Sequence, residues 1–257
     1  MPATSRFHVR SRALGCAAFV LAAAGCSTNP YTGESQFILV SDAELSQMSA
    51  QAWSQMISEE PVSRDPALNQ RARRVADRVI QAAGLGGQPW EVAVFDSDER
   101  NAFVLPGGQI GVYRGMMQLA DTDDQLAAVL GHEVGHVVGR HAAERASQQM
   151  GAGLGAQVLG GVLGGQDPNA AGRWQQILGV GAQYGLVLPY SRSNESEADL
   201  LGIDYMVRAG FNPRQAITLW QKMAAEGGAR GPAFLSTHPD PASRIVEIEN
   251  YIAQRGY

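Results

Sequence analysis

Cysteine is almost missing from the chain. Its 257 residues hold two, Cys16 and Cys26. Cys16 lies in an apolar stretch that reads as removable, so one thiol remains and no internal disulfide can form. Lysine is rarer still: Lys222 stands alone against 19 arginines, a bias of genome composition rather than function. Basic charge is in deficit, with a net charge of −5, which argues against nucleic acid as a partner. No apolar run of 18 residues follows the N-terminal segment, so no spanning helix is expected in the rest of the chain. Residues 41–257 show no fixed-period repeat, charge shift or serine-rich break, which points to one domain. A hydrophobic content of 45% with 18% charged residues excludes a disordered chain, and the length suffices for a real core.

The N-terminus has a definite layout. "MPATSRFHVRSR" carries Arg6, Arg10 and Arg12 and no acid, and "ALGCAAFVLAAA" follows as an apolar stretch too short to span a bilayer. "LAAAGCS" then reads as a lipobox, with Gly25 before Cys26 and with Ala23 where leucine is usual. The expected organisation is a lipoprotein signal peptide at 1–25, a tether at 26–35 and one domain at 36–257. Cys26 would accept a diacylglycerol and anchor the chain to a membrane. Ser27 after it suggests sorting to the outer membrane in a Gram-negative cell. An ordinary cleaved signal is the alternative.

Along the domain, Gln36 to Val40 reads as a short strand. Ser41 and Glu44 form a capping box that opens a helix to about Glu59. Leu68, Ala72, Val75, Val79 and Ala83 fall on one face of a second helix that Gly84 stops. "WEVAVFDS" alternates as a strand, and "NAFVLPGGQIGVYRGMM" reads as two short strands around Pro106-Gly107-Gly108. One long helix is expected through "DTDDQLAAVLGHEVGHVVGRHAAERASQQM", with Thr122 and Gln125 as a capping pair. Glycine, at 30 residues, concentrates between 151 and 185. The two apolar stretches there read as closely packed helices or as a membrane-dipping hairpin. Helices follow at about 192–209, 213–226 and 241–254, the last two opened by Asn212-Pro213 and Asp240-Pro241.

Three of the five histidines lie in "LAAVLGHEVGHVVGRH". His132, Glu133 and His136 make H-E-x-x-H. Four residues advance a helix by about 400°, so the two imidazoles stand one turn apart on one face and can reach one ion. Glu133 is offset by about 100°, beside the metal, where it can hold a water and take its proton. A core helix with stray histidines is a poor alternative, because two unpartnered imidazoles and a carboxylate would be costly among Ala127, Val129, Leu130, Val134 and Val137. His141 lies about 140° and 180° around a continuous helix from the other two and cannot join the ion without a break. It reads as a structural or surface residue.

A catalytic zinc needs a third ligand. "YSRSNESEADLLG" places Glu195 and Asp199 four apart on one helical face. Glu195 could bind zinc while Asp199 accepts the far N–H of a bound histidine; Glu197 points elsewhere. An acid-rich first turn also answers the helix dipole, and the spacing alone leaves both readings open.

The paired motifs "HEVGH" and "SRSNESEADLLG" resemble the gluzincin peptidases related to the CAAX prenyl endopeptidase, the bacterial heat-shock membrane protease and the mitochondrial Oma-type protease. The likeness is greatest to their soluble bacterial envelope branch and runs from about Phe37 to Ile248. It implies an α+β, mostly helical, zincin-like metallopeptidase domain with a small β-sheet flanking the HExxH helix. It implies one Zn2+ held by His132, His136 and Glu195, with Asp199 behind the ligands. "LSTHPDPASRI" resembles the family's C-terminal segment, which implies that His238 and Arg244 lie near the cleft. His238 could stabilise the oxyanion, touch substrate, or cap the zinc as a fourth ligand. The segment with Asn101, Phe103 and Val104 resembles the family's sheet edge, where an extended substrate could add as a strand.

Together these imply a zinc endopeptidase of the cell envelope acting on misfolded or outer-membrane polypeptides. A chaperone-like assembly factor with a zinc site is the rival reading. A metallohydrolase of cell-wall peptides is a weaker one.

Overall fold

A computed structural model describes residues 26–29, 32–162, 190–226, 232–239 and 241–257. The stretch 1–25 read as a signal peptide, most of the glycine-rich segment and Asp240 lie outside the described residues, and so do the readings placed on them.

The chain starts with β1 (Cys26–Thr28), which pairs antiparallel with β2 (Ser35–Phe37). The segment read as a tether is therefore a hairpin, and the strand read at 36–40 is shorter and earlier. Long-range contacts hold this hairpin down: the Asn29 and Gln36 side-chain amides donate to the carbonyls of Val138 and Gly139.

Helix α1 (Asp42–Glu59) follows, opened by the Ser41–Glu44 capping box. In α2 (Pro66–Ala82), Asp65 caps the first turn, Pro66 sets it, and Ala72, Val75, Ala76 and Val79 bury one stripe. The sheet consists of β3 (Glu91–Phe95), β4 (Ala102–Leu105) and β5 (Gln109–Tyr113), in the order β3-β5-β4. β3 runs parallel to β5 and β4 antiparallel to it, so β4 is an edge strand. One face of the sheet packs with α1 as an aromatic cluster of Trp53, Phe95, Phe103 and Tyr113.

Next come α3 (Arg114–Leu119), a short helix unmarked in the sequence pattern, and α4 (Asp123–Val138), capped by Thr122. The expected single helix through Met150 is in fact two. Gly139 and Arg140 break it, and α5 (His141–Val162) starts as a separate helix. Arg140 adopts φ 54, an uncommon conformation for a residue with a Cβ. Its guanidinium pairs with Asp42, which ties the break to α1. The C-terminal part is helical: α6 (Arg192–Arg208), α7 (Arg214–Ala225), the single turn α8 (Phe234–Thr237) and α9 (Pro241–Arg255). The main core gathers α2, α4, α6, α7, α9 and the inner face of the sheet. Among the described residues, no helix is long and apolar enough to cross a membrane.

The packing of α4 on α6 sets the site. A Cβ added at Gly202 would lie 2.8 Å from the His132 amide nitrogen and 2.9 Å from the Gly131 carbonyl carbon. Glycine thus lets the two backbones touch where the motif begins. Gly202→Ala must push the helices apart, and the expected cost is about 1–3 kcal/mol. Urea unfolding checks this; an unchanged midpoint would mean that the helices are not in backbone contact.

Candidate metal centre

His132 and His136 stand one turn apart on α4, both buried, with their Nε2 atoms facing at 3.0 Å. Helix α6 brings Glu195 opposite them. Its carboxylate oxygens lie 3.5 Å from His132 Nε2 and 3.5 Å from His136 Nε2. His238, just after α8, adds Nδ1, which lies 3.1 Å from His132 Nε2 and 3.0 Å from Glu195 Oε1. Ligand atoms of all four residues fall within 4.8 Å of one another.

The outer hydrogen bonds decide where the protons sit. Asp199 Oδ1 lies 2.9 Å from His132 Nδ1, and Arg244 grips both Asp199 oxygens at 2.6 Å. Burial works to raise the Asp199 carboxyl, but the Arg244 charge outweighs it and holds Asp199 below its ordinary value. An ionised carboxylate only accepts, so His132 carries its proton on Nδ1. On the other side, His136 Nδ1 lies 2.8 Å from His141 Nδ1, and His141 Nε2 lies 2.9 Å from Glu197 Oε2. The tautomers assigned to match this chain of contacts put the His141 proton on Nε2, toward Glu197, and the His136 proton on Nδ1, toward His141 Nδ1. Both Nε2 atoms therefore present bare lone pairs to the same point.

Neither motif histidine takes up a proton readily. Burial, aided by the Arg244 charge, pushes His132 down to about 4, and burial holds His136 well below its ordinary value. Burial works to raise the Glu195 carboxyl, but its contacts with His136 and His238 outweigh burial and keep it ionised. Three buried carboxylates (Glu133, Glu195 and Asp199) meet one guanidinium, Arg244, whose Nη1 lies 2.6 Å from Glu195 Oε2. Converging lone pairs with surplus negative charge repel one another unless a cation sits among them, so the donor set fits a divalent metal.

Glu133, next to His132 on α4, stands beside this cluster. Its Oε2 accepts the Val104 N–H at 3.3 Å, and its Oε1 lies 3.3 Å from His238 Nε2. Burial pushes its carboxyl up to about 7, a value suited to taking and returning a proton near neutral pH.

This geometry has counterparts. The profile of peptidase family M48 matches residues 66–252. The chain belongs to that family. Mitochondrial metalloendopeptidase OMA1 of Schizosaccharomyces pombe is 34% identical over 183 residues, 70% of this chain and 52% of that protein. Beta-barrel assembly-enhancing protease of Escherichia coli O157:H7 is 31% identical over 245 residues, 87% of this chain and 47% of that one. Mitochondrial metalloendopeptidase OMA1 of Homo sapiens is 29% identical over 239 residues, 88% and 46%. The chain spans about half the length of the curated relatives it matches. The paired motifs of the sequence resemble this same family, and the mostly helical, zincin-like domain is the M48 fold class.

Within this M48 domain the structure brings together His132, Glu133, His136, Glu195, Asp199, His238 and Arg244. Asn101 differs from expectation. It precedes β4, its carbonyl accepts the Tyr113 N–H, and its side-chain oxygen takes the Ala102 N–H, so it is spent inside the sheet. Phe103 turns its ring into the aromatic cluster, while Val104 reaches the site through its N–H. Cys26 begins β1, joined to the domain by strand pairing. His141 is buried against His136, which excludes the surface reading. Glu197 points away from the cluster, as its position on the helix implied, and meets His141. Sequence reading missed Tyr190, stacked on His136 at 4.0 Å, and Trp220, which lies under the Arg244 guanidinium at 3.8 Å. Neither carries a pattern; both are selected by flat contact with the site.

Proposed function

We propose that this M48 chain is a zinc-dependent endopeptidase of the bacterial cell envelope. The observation that carries the reading is the convergence of two unprotonated histidine nitrogens and the Glu195 carboxylate beside Glu133 and a strand edge. Two imidazoles and a carboxylate are donors that suit zinc. His132, His136 and Glu195 would hold the ion. Bound zinc supplies a Lewis acid that polarises a carbonyl and makes water acidic enough to deprotonate near neutral pH.

The chain's own groups do the rest. Glu133 takes the proton of the attacking water and returns it to the leaving amine. The Val104 N–H orients the Glu133 carboxylate and ties the base to the edge strand. Asp199 and Arg244 fix the His132 ring. An extended polypeptide adds to the outer edge of β4, which pairs with no other strand among the described residues. A cavity of about 270 Å³ opens between that edge and His136, with Leu45, Val104, Pro106, Val137 and Tyr190 on its walls beside the polar Asp42, Gln88 and Arg140. It suits an apolar side chain next to the cut bond. Cleavage-site profiling of unfolded casein should show apolar enrichment beside the scissile bond; flat profiles would remove the cavity from the reading.

The substrate and location rest on other grounds. The Cys26 lipobox supports a lipid anchor, and relatives named beta-barrel assembly-enhancing protease support outer-membrane polypeptides as substrates. Other relatives bear mitochondrial names, so the envelope setting leans on the N-terminal sequence. The test compares outer-membrane protein abundance and fragments in cells carrying the wild-type or Glu133→Gln protein. Substrates should accumulate uncut with Glu133→Gln. Identical profiles would contradict an envelope protease.

His238 favours a second reading. Its Nδ1 lies among the ligand atoms, so a fourth protein ligand would close the metal and leave a chaperone-like holder with rare cleavage. His238→Ala separates the two. Under the endopeptidase reading it lowers kcat by about tenfold or more through lost oxyanion or substrate contact. Under the holder reading it raises cleavage.

A further inference from the structure

The two histidines of the motif are held from behind in different ways. His132 donates to a carboxylate, Asp199, pinned by a buried arginine. His136 donates instead to a third imidazole, His141, which donates in turn to Glu197. His141 is 1% exposed. It is not one of the converging ligands, and the endopeptidase reading gives it no task.

Several separate features of the fold are needed to place His141 there. Helix α4 must end at Val138, because a continuous helix would carry residue 141 about 140° away from residue 136. Arg140 must turn the chain at φ 54. Position 139 must lack a side chain, because a Cβ there would lie 2.3 Å from His141 Nε2. The carbonyls exposed at the break are then taken by the hairpin that follows Cys26: Gln36 Nε2 donates to Gly139 O at 2.5 Å and Asn29 Nδ2 to Val138 O at 2.9 Å. Glu197 sits two residues past Glu195 on α6, so the helix that offers one carboxylate to the cluster offers another to the relay.

We propose that His141 and Glu197 form a positioning relay for His136. The relay keeps the His136 proton on Nδ1, fixes the ring plane, and makes its Nε2 a stronger donor toward a metal. This rests on the reading of His136 as a metal ligand. Removing the hydrogen-bond partner behind a ligating histidine typically costs about 10–100-fold in metal affinity. His141 is a positioning residue: it acts through His136 and touches no reacting atom.

The test uses the purified full chain stripped of metal, with zinc alone as the probe and its affinity read by competition with a chromophoric chelator. His141→Phe keeps a ring of similar volume but no acceptor. His141→Asn keeps an acceptor where Nδ1 stood. His141→Phe should bind zinc about 10–100-fold more weakly than wild type, and His141→Asn should recover most of the loss. Thermal unfolding of the metal-free variants shows whether each is folded. If His141→Phe does not fold, Glu197→Ala makes the same test from the more exposed end of the relay, with a several-fold loss expected. Wild-type zinc affinity in a folded His141→Phe, or in Glu197→Ala, overturns the relay. So does an equal loss in His141→Phe and His141→Asn. His136→Ala serves as the reference for the underlying reading. If it binds zinc as tightly as wild type, the ligand assignment itself fails; if it binds weakly while His141→Phe is unaffected, only the relay fails.

Discussion

Glu133→Gln is expected to lower kcat for casein cleavage by about 10²–10⁴-fold while leaving zinc binding intact. Glutamine has the same shape, and its oxygen can still accept the Val104 N–H, which lies 3.3 Å from Glu133 Oε2. What it lacks is a basic oxygen. Burial has raised the Glu133 carboxyl to about 7, so wild type carries a base whose strength matches neutral pH. The amide cannot take the proton from water or pass one to the leaving amine. Removing buried negative charge from an acid-rich site should leave the protein at least as stable. The loss therefore belongs in kcat, with zinc binding by elemental analysis unchanged and the unfolding midpoint no lower than in wild type. A Glu133→Gln protein that cuts at the wild-type rate would remove Glu133 from the mechanism.

The second large effect falls on stability. Arg244 is 3% exposed, grips both oxygens of Asp199, meets Glu195 Oε2 at 2.6 Å, and lies flat on Trp220. Removing one partner of such a buried network strands the others' charge. Arg244→Met keeps much of the volume over Trp220 but leaves two carboxylates without their cation, and the expected cost is about 3–5 kcal/mol in the metal-free protein. Arg244→Lys keeps the charge but not the fork of donors, and should fall between. Urea unfolding of the metal-free proteins gives the comparison. Saturating zinc should return part of the loss, since the ion supplies positive charge at the same carboxylates and binds only the folded state. An Arg244→Met midpoint equal to wild type would mean that Asp199 and Glu195 are not ionised together.

Much of this arrangement is legible in the amino-acid sequence. Capping residues and stripes of 3.6 period give the helices, because each is a local choice: Ser41 with Glu44, Thr122 before α4. The motif helix and the Glu195–Asp199 spacing give two halves of the site, because a helix fixes which side chains share a face. The break at Gly139-Arg140 is not legible. Apolar periodicity runs through it, and a non-glycine residue in the left-handed region leaves no compositional mark. The hidden break also hides the part played by His141, whose expected angle holds only along a continuous helix. The hairpin at 26–37 is hidden for another reason. Polar residues after a lipobox-like stretch look like a tether, and only the long-range bonds of Asn29 and Gln36 to the end of α4 reveal the packing. Asn101 shows the limit of transferring a whole segment: its neighbour Val104 reaches Glu133, while its own polar groups close the sheet.

Peptide cleavage should depend on a metal held where His132, His136 and Glu195 converge. The direct measurement is casein cleavage by purified protein as isolated, after stripping by a strong chelator, and after return of one equivalent of zinc, with Glu195→Ala carried through the same steps. Wild type should lose cleavage on stripping and regain it at one equivalent. Glu195→Ala should hold little zinc and fail to recover. Undiminished cleavage by the stripped wild-type protein, or full recovery of Glu195→Ala at one equivalent, would mean that cleavage does not depend on a metal at these residues.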